Sequence, residues 1–383
     1  MLFKRSIHEK LLVIIDEFPY LCKADRSLHS VLQNLIDAYR DRSKMTLVLC
    51  GSSMTCMTKE ILPVATPLEG RFITRINIKP FDFFESCTFL SSFSAEDKVA
   101  LYGALGGTPM YLSHIQSQLS ARSNIRKLFL DTRSALHEEP MTILRKEAKS
   151  TSQCVEALRA IAEGASRFTE IQNAAHFEAA TTSAVIEQLI RMDLVKKESP
   201  FGDRSGRKTI YSIADNFFRF WFRFVSPNES AIEGGFLSDL VYREIEKELP
   251  TYLGPVFEEI CRDYLVRRTA AGDLPAPFFE FHRWWGSDPR TRQQSEIDIV
   301  SAAGKDAMLF AECKWRNAPV DADVLQTLLA RSNLFNALEK YLMIFSKSGF
   351  TENCRAAAQK IGRVELVSLS DMMAELNPEA IKD

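Results

Sequence analysis

The sequence predicts a multidomain α/β protein, and three observations carry this prediction. The chain is 383 residues long, which is more than one hydrophobic core usually organises, so two or three domains are expected. Hydrophobic residues make up 46% and charged residues 26% of the chain, an ordinary globular composition that excludes a disordered protein. Short apolar runs of strand length alternate with segments of helical periodicity, which is typical of α/β domains.

The N-terminal segment has the pattern of a parallel sheet with helical crossovers. Residues 11–15, LLVII, form an apolar run that is too short for a helix and typical of a strand buried on both faces. Residues 28–40 carry apolar side chains at helical spacing, and a second buried strand is predicted at 45–50. A third strand-like run follows at 72–78. The order strand, helix, strand predicts right-handed crossovers.

The middle of the chain is predicted to be mainly helical. Residues 80–148 form helices that are interrupted at Gly106–Pro109. Three short helices, followed by two strands around a polar loop, then predict a winged helix-turn-helix. These five elements lie at residues 152–163, 167–174, 181–193, 194–197 and 209–213.

The C-terminal part is predicted to form a further α/β domain. An aromatic-rich segment at 217–228, interpreted as core or domain interface, closes the preceding module, and a helical stretch at 236–269 follows it. The predicted strands of the last domain lie at residues 278–284, 296–301, 307–314 and 341–346, and its helices at 321–337 and 351–361.

Charge and hydropathy narrow the class of protein. The net charge is −2 and the pI about 6.4, so any nucleic-acid-binding surface must be a local patch. No stretch reaches the roughly 18 apolar residues that cross a bilayer, and the N-terminal apolar run has no cleavage site. The eight cysteines show no metal-binding spacing and are expected to be reduced. We therefore expect a cytoplasmic protein without a membrane partner.

Two acidic residues end the first predicted strand. Asp16 and Glu17 follow VII at the carboxyl edge of the sheet, where open α/β sheets bind ligands. In P-loop ATPases, acids at this place hold magnesium and orient the attacking water; the alternative is a strand that simply ends in solvated acids. The second strand ends before Ser52, where a polar sensor residue would sit. Arg71 in the PLEGR loop is a candidate for an arginine that binds the γ-phosphate or bridges to another subunit.

Five segments in order, VIIDEFPYL, LVLCGSS, PLEGR, FDFFE and GGTPMYL, resemble the archaeal-type ATPase family, an AAA-like branch of the P-loop NTPases. The resemblance covers residues 11 to about 115. It implies that Asp16 is the magnesium-site acid of the Walker B strand, Glu17 the catalytic acid, Ser52 the sensor and Arg71 the arginine of the PLxGR loop. It also implies ATP as the nucleotide of the family.

The chain departs from that family in its phosphate-binding loop. The sequence contains no GxxxxGK[ST] motif, because the lysines that follow Gly206 and Gly304 lack its spacing and context. Without backbone amides and a lysine around the phosphates, ATP affinity loses its main source, so we expect no ATP hydrolysis by this chain. A shortened gene model, a pseudogene remnant and a partner ATPase subunit or second copy that supplies the loop remain alternatives.

A second acidic constellation lies near the C-terminus. Asp298 lies on one predicted strand, and Glu312 and Lys314 lie two apart on the next, hence on one face. Pairing of these strands would gather the three side chains around one point. Two carboxylates can hold Mg²⁺, and the lysine can position or deprotonate water. A helix upstream offers Glu258 and Glu259, one of which is expected to complete the metal shell.

This spacing resembles the PD-(D/E)xK nuclease superfamily, in which Asp is followed after about a dozen residues by Glu-x-Lys. Residues 235–370 also look like the uncharacterised domain that follows archaeal-type ATPases. The resemblance implies a Mg²⁺-dependent DNA endonuclease with Asp298, Glu312 and Lys314 as catalytic residues. The alternative is a non-catalytic DNA- or protein-binding regulator in which both sites are relics, since acids and lysines alternate on many exposed strands.

Three basic residues of the predicted wing, Arg204, Arg207 and Lys208, suit phosphate contacts with DNA. The predicted recognition helix at 181–193 carries Glu187 and Asp193, so a protein-interaction module is the alternative. The complete expectation is a truncated P-loop NTPase core, a helical lid, a winged helix and a restriction-endonuclease-like domain. These four regions are expected at residues 1–80, 81–148, 149–228 and 235–375.

Overall fold

The computed structural model describes residues 1–51, 57, 67–234, 238–289 and 292–375. Over these residues the protein is a mixed α/β structure, with two two-stranded sheets, one five-stranded sheet and helices on and between them. In the same part of the chain, no helix combines the length and the apolar character needed to cross a membrane. The predicted sensor, Ser52, lies outside the described residues.

The N-terminal region is a small parallel sheet with helices on one face. Its elements are α1 (Leu2–Arg5), β1 (Leu11–Ile15), α2 (Phe18–Ala24), α3 (Leu28–Tyr39) and β2 (Met45–Leu49). β1 and β2 pair in parallel from Leu11 opposite Met45 onward, as their apolar runs predict. The prediction that β1 is buried on both faces is wrong, because Leu12 and Ile14 are 65% and 59% exposed. Helices α2 and α3 cover only the opposite face, around Phe18.

The third predicted strand, at 72–78, is also wrong. Residues 72–80 adopt no strand, and Ile73, Ile76 and Ile78 are almost fully exposed. A strand is stabilised by a hydrogen-bonded neighbour and by burial of one face. Among the described residues this segment has no ladder with β1 or β2, so its apolar sequence alone does not make it a strand.

The helical region at 80–148 is present, with its predicted break. Its helices are α4 (Phe83–Ser86), α5 (Ala95–Leu105), α6 (Pro109–Leu112), α7 (Ala121–Phe129) and α8 (Glu139–Glu147). Asp82 and Glu85 form a reciprocal capping box that starts α4. The backbone of Phe81 donates to the carbonyl of Gly107 at 2.9 Å. The FDFFE and GGTPM segments therefore touch each other at the start of α4 and α6.

Three helices and an antiparallel strand pair follow, close to their predicted positions. They are α9 (Thr151–Ala162), α10 (Phe168–Ala174), α11 (Ala179–Arg191), β3 (Val195–Glu198) and β4 (Ile210–Ile213). The aromatic segment after them forms α12 (Asn216–Phe220) and a π-helical turn, and it is core. Trp221 is 1% exposed and donates its indole N–H to the carbonyl of His137 at 2.7 Å. This contact joins the segment to the preceding helical region.

The C-terminal region is a five-stranded sheet between helices. It is preceded by α13 (Glu229–Glu233) and α14 (Ser238–Ala271), and it contains β5 (His282–Ser287), β6 (Gln294–Ala303), β7 (Ala307–Lys314), α15 (Ala322–Ser332), β8 (Glu339–Ser346), α16 (Glu352–Ile361), β9 (Val364–Ser368) and α17 (Leu369–Glu375). The strand order follows the chain order. β5–β6–β7 are antiparallel and β7–β8–β9 parallel. α14 packs on one face of the sheet, and α15 and α16 on the other.

Candidate functional site

A bulge in β6 sets the position of Asp298. β5 and β6 pair His282 with Val300 and then Trp284 with Ile297, so β6 contains one extra residue at this place. A bulge of this kind turns a side chain out of the regular alternation. The carboxylate Oδ2 of Asp298 accepts the backbone N–H of Cys313 at 2.8 Å. This bond holds Asp298 beside the end of β7.

Glu312 and Lys314 lie on the same face of β7, as their spacing predicts. Lys314 Nζ donates to Glu312 Oε1 at 2.6 Å and lies 3.9 Å from Asp298 Oδ2. Both carboxylates are buried, with 6% of each residue exposed. Burial opposes protonation of Lys314, but Glu312 and Asp298 outweigh it and raise the pKa of the ammonium group. We call Asp298, Glu312 and Lys314 the carboxylate–lysine cluster.

Arg331 is a member of this site that sequence reasoning missed. It projects from α15, and its Nη1 is 3.3 Å from both carboxylate oxygens of Glu312. Burial and the charge of Asp298 raise the pKa of Glu312, while Lys314 and Arg331 oppose this shift. The sequence indicates a helix at this place, but it does not tell which of its side chains reaches the sheet.

The two adjacent glutamates of α14 point to different surroundings. Glu258 interacts with Asp298 of the cluster: burial, and then the charge of Asp298, raise the pKa of Glu258 to about 7. Arg283 of β5 lies 3.5 Å from Glu258 through its Nε and opposes that shift. Of the two glutamates, Glu258 is therefore the one that interacts with Asp298.

Glu259 is engaged elsewhere. It forms an ion pair with Lys196 of β3, and its Oε2 is 3.6 Å from Nη2 of Arg219. Burial opposes ionisation of Glu259, but Lys196 and Arg219 outweigh it and lower its pKa to about 2. The predicted metal role of Glu259 thus conflicts with its two cationic partners, which already neutralise the carboxylate.

The donor atoms of the cluster suit a hard divalent cation. Among the described residues, no group of three or more His, Cys, Asp or Glu side chains is arranged to hold a metal ion as it stands, and Lys314 and Arg331 take the oxygens of Glu312. However, the charge of Asp298 helps to raise the pKa of both Glu258 and Glu312. A cation would relieve this concentration of negative charge, and carboxylate oxygens are the ligands that Mg²⁺ prefers.

The N-terminal candidate residues lie directly after β1. Asp16 Oδ1 accepts the backbone N–H of Glu17 at 2.9 Å. Glu17 has a φ of 49°, in the left-handed region that non-glycine residues seldom adopt. The turn therefore brings the chain sharply from β1 into α2, with both acids at the carboxyl end of the strand.

Arg71 is bound within the N-terminal region. Its guanidinium forms two hydrogen bonds with Asp37 of α3, at 2.8 and 2.6 Å, and Nη1 donates to the carbonyls of Pro67 and Glu69. Hydrogen bonding to Arg71 lowers the pKa of Asp37. Arg71 thus ties its loop to α3, so binding of a phosphate by this arginine requires the pair to open.

The basic residues of the loop between β3 and β4 are exposed. Arg204, Arg207 and Lys208 all face solvent. The backbone N–H of Phe201, at the start of the loop, donates to the carbonyl of Arg283 in β5 at 2.8 Å. The loop therefore lies against the edge strand of the five-stranded sheet.

A further buried acid on α14 makes stability depend on pH. Burial, and then the charges of Asp82 and Glu259, raise the pKa of Asp263 from 3.8 to about 7, against Arg262 and Arg267. Between these pH values the folded state keeps a proton that the unfolded state has released, so stability falls as pH rises through this window.

We expect Asp263→Asn to stabilise the protein relative to wild type increasingly as pH rises from about 4 to 7. Above the higher value the gain is constant, because both states of the wild type have then lost the proton. Melting temperatures at pH 5 and pH 8 measure this, with the exposed Asp41→Asn as control. An equal difference from wild type at both pH values would contradict the pKa shift.

Comparison with known proteins matches two regions of the chain to protein families. Residues 2–115 match the family model described as an ATPase domain predominantly from Archaea. Residues 221–326 match the family described as archaeal and bacterial proteins of unknown function.

Individual proteins are also similar to this chain. The uncharacterized protein MJECL04 of Methanocaldococcus jannaschii is 30% identical over 343 residues, covering 88% of this chain and 75% of that protein. The uncharacterized protein MJ0424 of the same organism is 37% identical over 51 residues, covering 13% of this chain and 48% of MJ0424. The solved protein VC1899 from Vibrio cholerae aligns over 97% of this chain and 96% of its own, with 11% identity and a TM-score of 0.28, too low to support an argument. The chain belongs, with MJECL04, to the archaeal-type ATPase family.

Proposed function

We propose that this member of the archaeal-type ATPase family cleaves phosphodiester bonds of DNA with a divalent cation at the carboxylate–lysine cluster. The observation that carries the proposal is the position of Lys314, 2.6 Å from Glu312 and 3.9 Å from Asp298. The five-stranded sheet, with Asp298 in the middle of β6 and Glu312 and Lys314 at the end of β7, supports a PD-(D/E)xK nuclease-like domain. The three helices and the β3–β4 pair support a winged helix that contacts DNA through Arg204, Arg207 and Lys208.

Each side chain would have a defined part in such a reaction. Asp298, Glu312 and Glu258 would hold Mg²⁺, which supplies a Lewis acid and an activated water. Lys314, 2.6 Å from Glu312 and 3.9 Å from Asp298, would place a positive charge next to the scissile phosphate. Arg331 sits at the other side of Glu312 and orients that carboxylate.

A non-catalytic role is the second candidate, and one observation favours it. Lys314 and Arg331 together engage both oxygens of Glu312, so this carboxylate already has two cationic partners without a metal ion. In that case the protein would bind DNA or another protein as a regulator. We retain Asp16 and Glu17 as the proposed Walker B acids of the N-terminal region.

The test is nicking of supercoiled and branched DNA with Mg²⁺ or Mn²⁺, compared with the same reaction in a chelator. We expect metal-dependent nicking that falls about tenfold in Glu258→Gln, because a weakened ligand shell lowers metal affinity by about 10–100-fold. Glu244→Gln, at the exposed surface of the same helix, should cleave as wild type does. Folded protein that cleaves with neither metal, or equally well in chelator, would contradict the proposal and favour the regulator.

A further inference from the structure

The loop between β3 and β4, residues 199–209, is fastened to the five-stranded sheet. We call it the hairpin loop. Besides the backbone bond from Phe201 to Arg283, the ring of Phe201 lies 5.9 Å from that of His282 and 6.2 Å from that of Phe335. Phe201 thus packs among the aromatic side chains on the α15 face of the sheet. The hairpin loop is therefore held to the sheet by a backbone hydrogen bond and by aromatic packing.

A half-buried ion pair holds the strand that leads into the hairpin loop. Lys196 of β3 pairs with Glu259 of α14, which Arg219 also approaches. Glu259 is the neighbour of Glu258, which lies 3.5 Å from Arg283 of β5. The same helix therefore contacts β3, which leads into the hairpin loop, and β5, which lies next to the strand that carries Asp298.

The hairpin loop and the cluster are separated by a single strand. Phe201 bonds to Arg283 in β5, and Trp284 of β5 is paired with Ile297, the residue before Asp298. Since neighbouring strands lie about 4.8 Å apart, Phe201 is about 10 Å from Asp298 across the sheet. That distance corresponds to about three nucleotide steps at 3.4 Å per step along one strand of a duplex.

The hairpin loop presents positive charge in a defined shape. Asp203 accepts from the hydroxyl of Ser205 at 2.7 Å, and the hydroxyls of Ser199 and Thr209 lie 3.0 Å apart across its base. Lys208 reaches the sheet, with Nζ 3.5 Å from the place where a Cβ on Gly286 would lie. Asp203 interacts with Lys208 and offsets part of this charge, but the loop has one carboxylate against Arg204, Arg207 and Lys208 and so keeps a net charge of +2.

We infer that the hairpin loop and the carboxylate–lysine cluster form one composite surface for a phosphodiester polymer. Arg204, Arg207 and Lys208 hold backbone phosphates a few nucleotides from the bond presented to the cluster. The substrate is therefore a nucleic-acid strand rather than a mononucleotide or a small phosphodiester. Phe201 is a positioning residue, since it fixes the loop without contacting the substrate. This inference rests on the proposed function.

The test compares two substrates that differ in reach. Bis(p-nitrophenyl) phosphate contacts only the cluster, whereas a labelled duplex oligonucleotide spans both parts. We expect the triple variant Arg204→Ala, Arg207→Ala, Lys208→Ala to lower kcat/KM for the oligonucleotide at least tenfold and to leave the small diester unchanged. Removal of three phosphate contacts should also reduce the slope of log K against log salt concentration by about 3. Phe201→Ala should lower kcat/KM for the oligonucleotide alone, with activity restored in Phe201→Tyr.

The matched control removes the same charges elsewhere. Arg40→Ala, Arg42→Ala, Lys44→Ala also takes two arginines and one lysine from the exposed surface, and it should behave as wild type. The inference is overturned if the hairpin variants treat the oligonucleotide as wild type does, or if they lose both substrates equally while folded. An RNA of the same sequence that shows the same losses supports the inference with RNA as the polymer.

Failure of the proposed function has a different signature. If the wild-type protein cleaves neither substrate, the proposed function fails. The inference is then tested by measuring how tightly the variants bind the oligonucleotide. It stands if the hairpin triple variant and Lys314→Ala each weaken binding of the same oligonucleotide in fluorescence anisotropy. It is overturned if the triple variant binds with the affinity and salt slope of wild type.

Discussion

Lys314→Ala is expected to lower metal-dependent DNA cleavage by about 10²–10³-fold, the usual cost of removing a group that stabilises developing negative charge. The ammonium group lies between Glu312 and Asp298, at 2.6 and 3.9 Å. Its loss leaves these two buried carboxylates with Arg331 as the remaining cation in contact with Glu312. Single-turnover cleavage at saturating metal measures the effect on the chemical step.

Two further lysine variants make this test specific. Lys314→Arg keeps the charge but changes its shape and reach, so we expect partial activity between those of wild type and Lys314→Ala. Lys305→Ala, in the exposed turn between β6 and β7, should have no effect. Full activity in a folded Lys314→Ala protein would remove the lysine from the mechanism.

Gly107→Ala is expected to destabilise the protein by about 3 kcal/mol, the upper range for overpacking. A Cβ on Gly107 would lie 1.7 Å from the carbonyl oxygen of Phe81 and 2.7 Å from its carbonyl carbon. Both are backbone atoms, and the backbone N–H of Phe81 is bonded to Gly107. Relief of the clash must therefore separate the two segments that begin α4 and α6.

Urea unfolding followed by tryptophan fluorescence measures this loss. Gly254→Ala is the matched control, because Gly254 lies inside α14 with no atom within 4 Å of the added Cβ. That change should raise stability by about 0.5–1 kcal/mol, since glycine is costly within a helix. Equal stability of Gly107→Ala and wild type would show that the two segments can part freely.

The alternation of side chains along β7 made much of the candidate site predictable. Glu312 and Lys314 are two apart, so any strand at this place puts them on one face, and an antiparallel neighbour brings Asp298 to them. The bulge in β6 and the contribution of Arg331 were not predictable, because both depend on how separate elements meet. The choice between Glu258 and Glu259 depends on the rotation of α14 in the same way.

The fold was predictable where the apolar pattern of a segment specifies its secondary structure and the segment has a neighbour to pair with. The runs 11–15 and 45–50 are strands because their apolar residues pair with each other, whereas 72–78 has similar residues but no partner among the described ones. The short strand β9 and helix α17 were not predicted. The FDFFE and GGTPM segments were recognised from sequence alone, and the structure supplies their physical reason in the contact of Phe81 with Gly107.

The consecutive glutamates of α14 connect this helix to two different strands. Residues next to each other on an α-helix project about 100° apart, so Glu258 and Glu259 engage Arg283 on one side and Lys196 on the other. Rotation of α14 about its axis would strain both contacts at once. Neighbouring residues of α14 thus tie the helix to β3 through Lys196 and to β5 through Arg283, so a change in one contact alters the surroundings of the other.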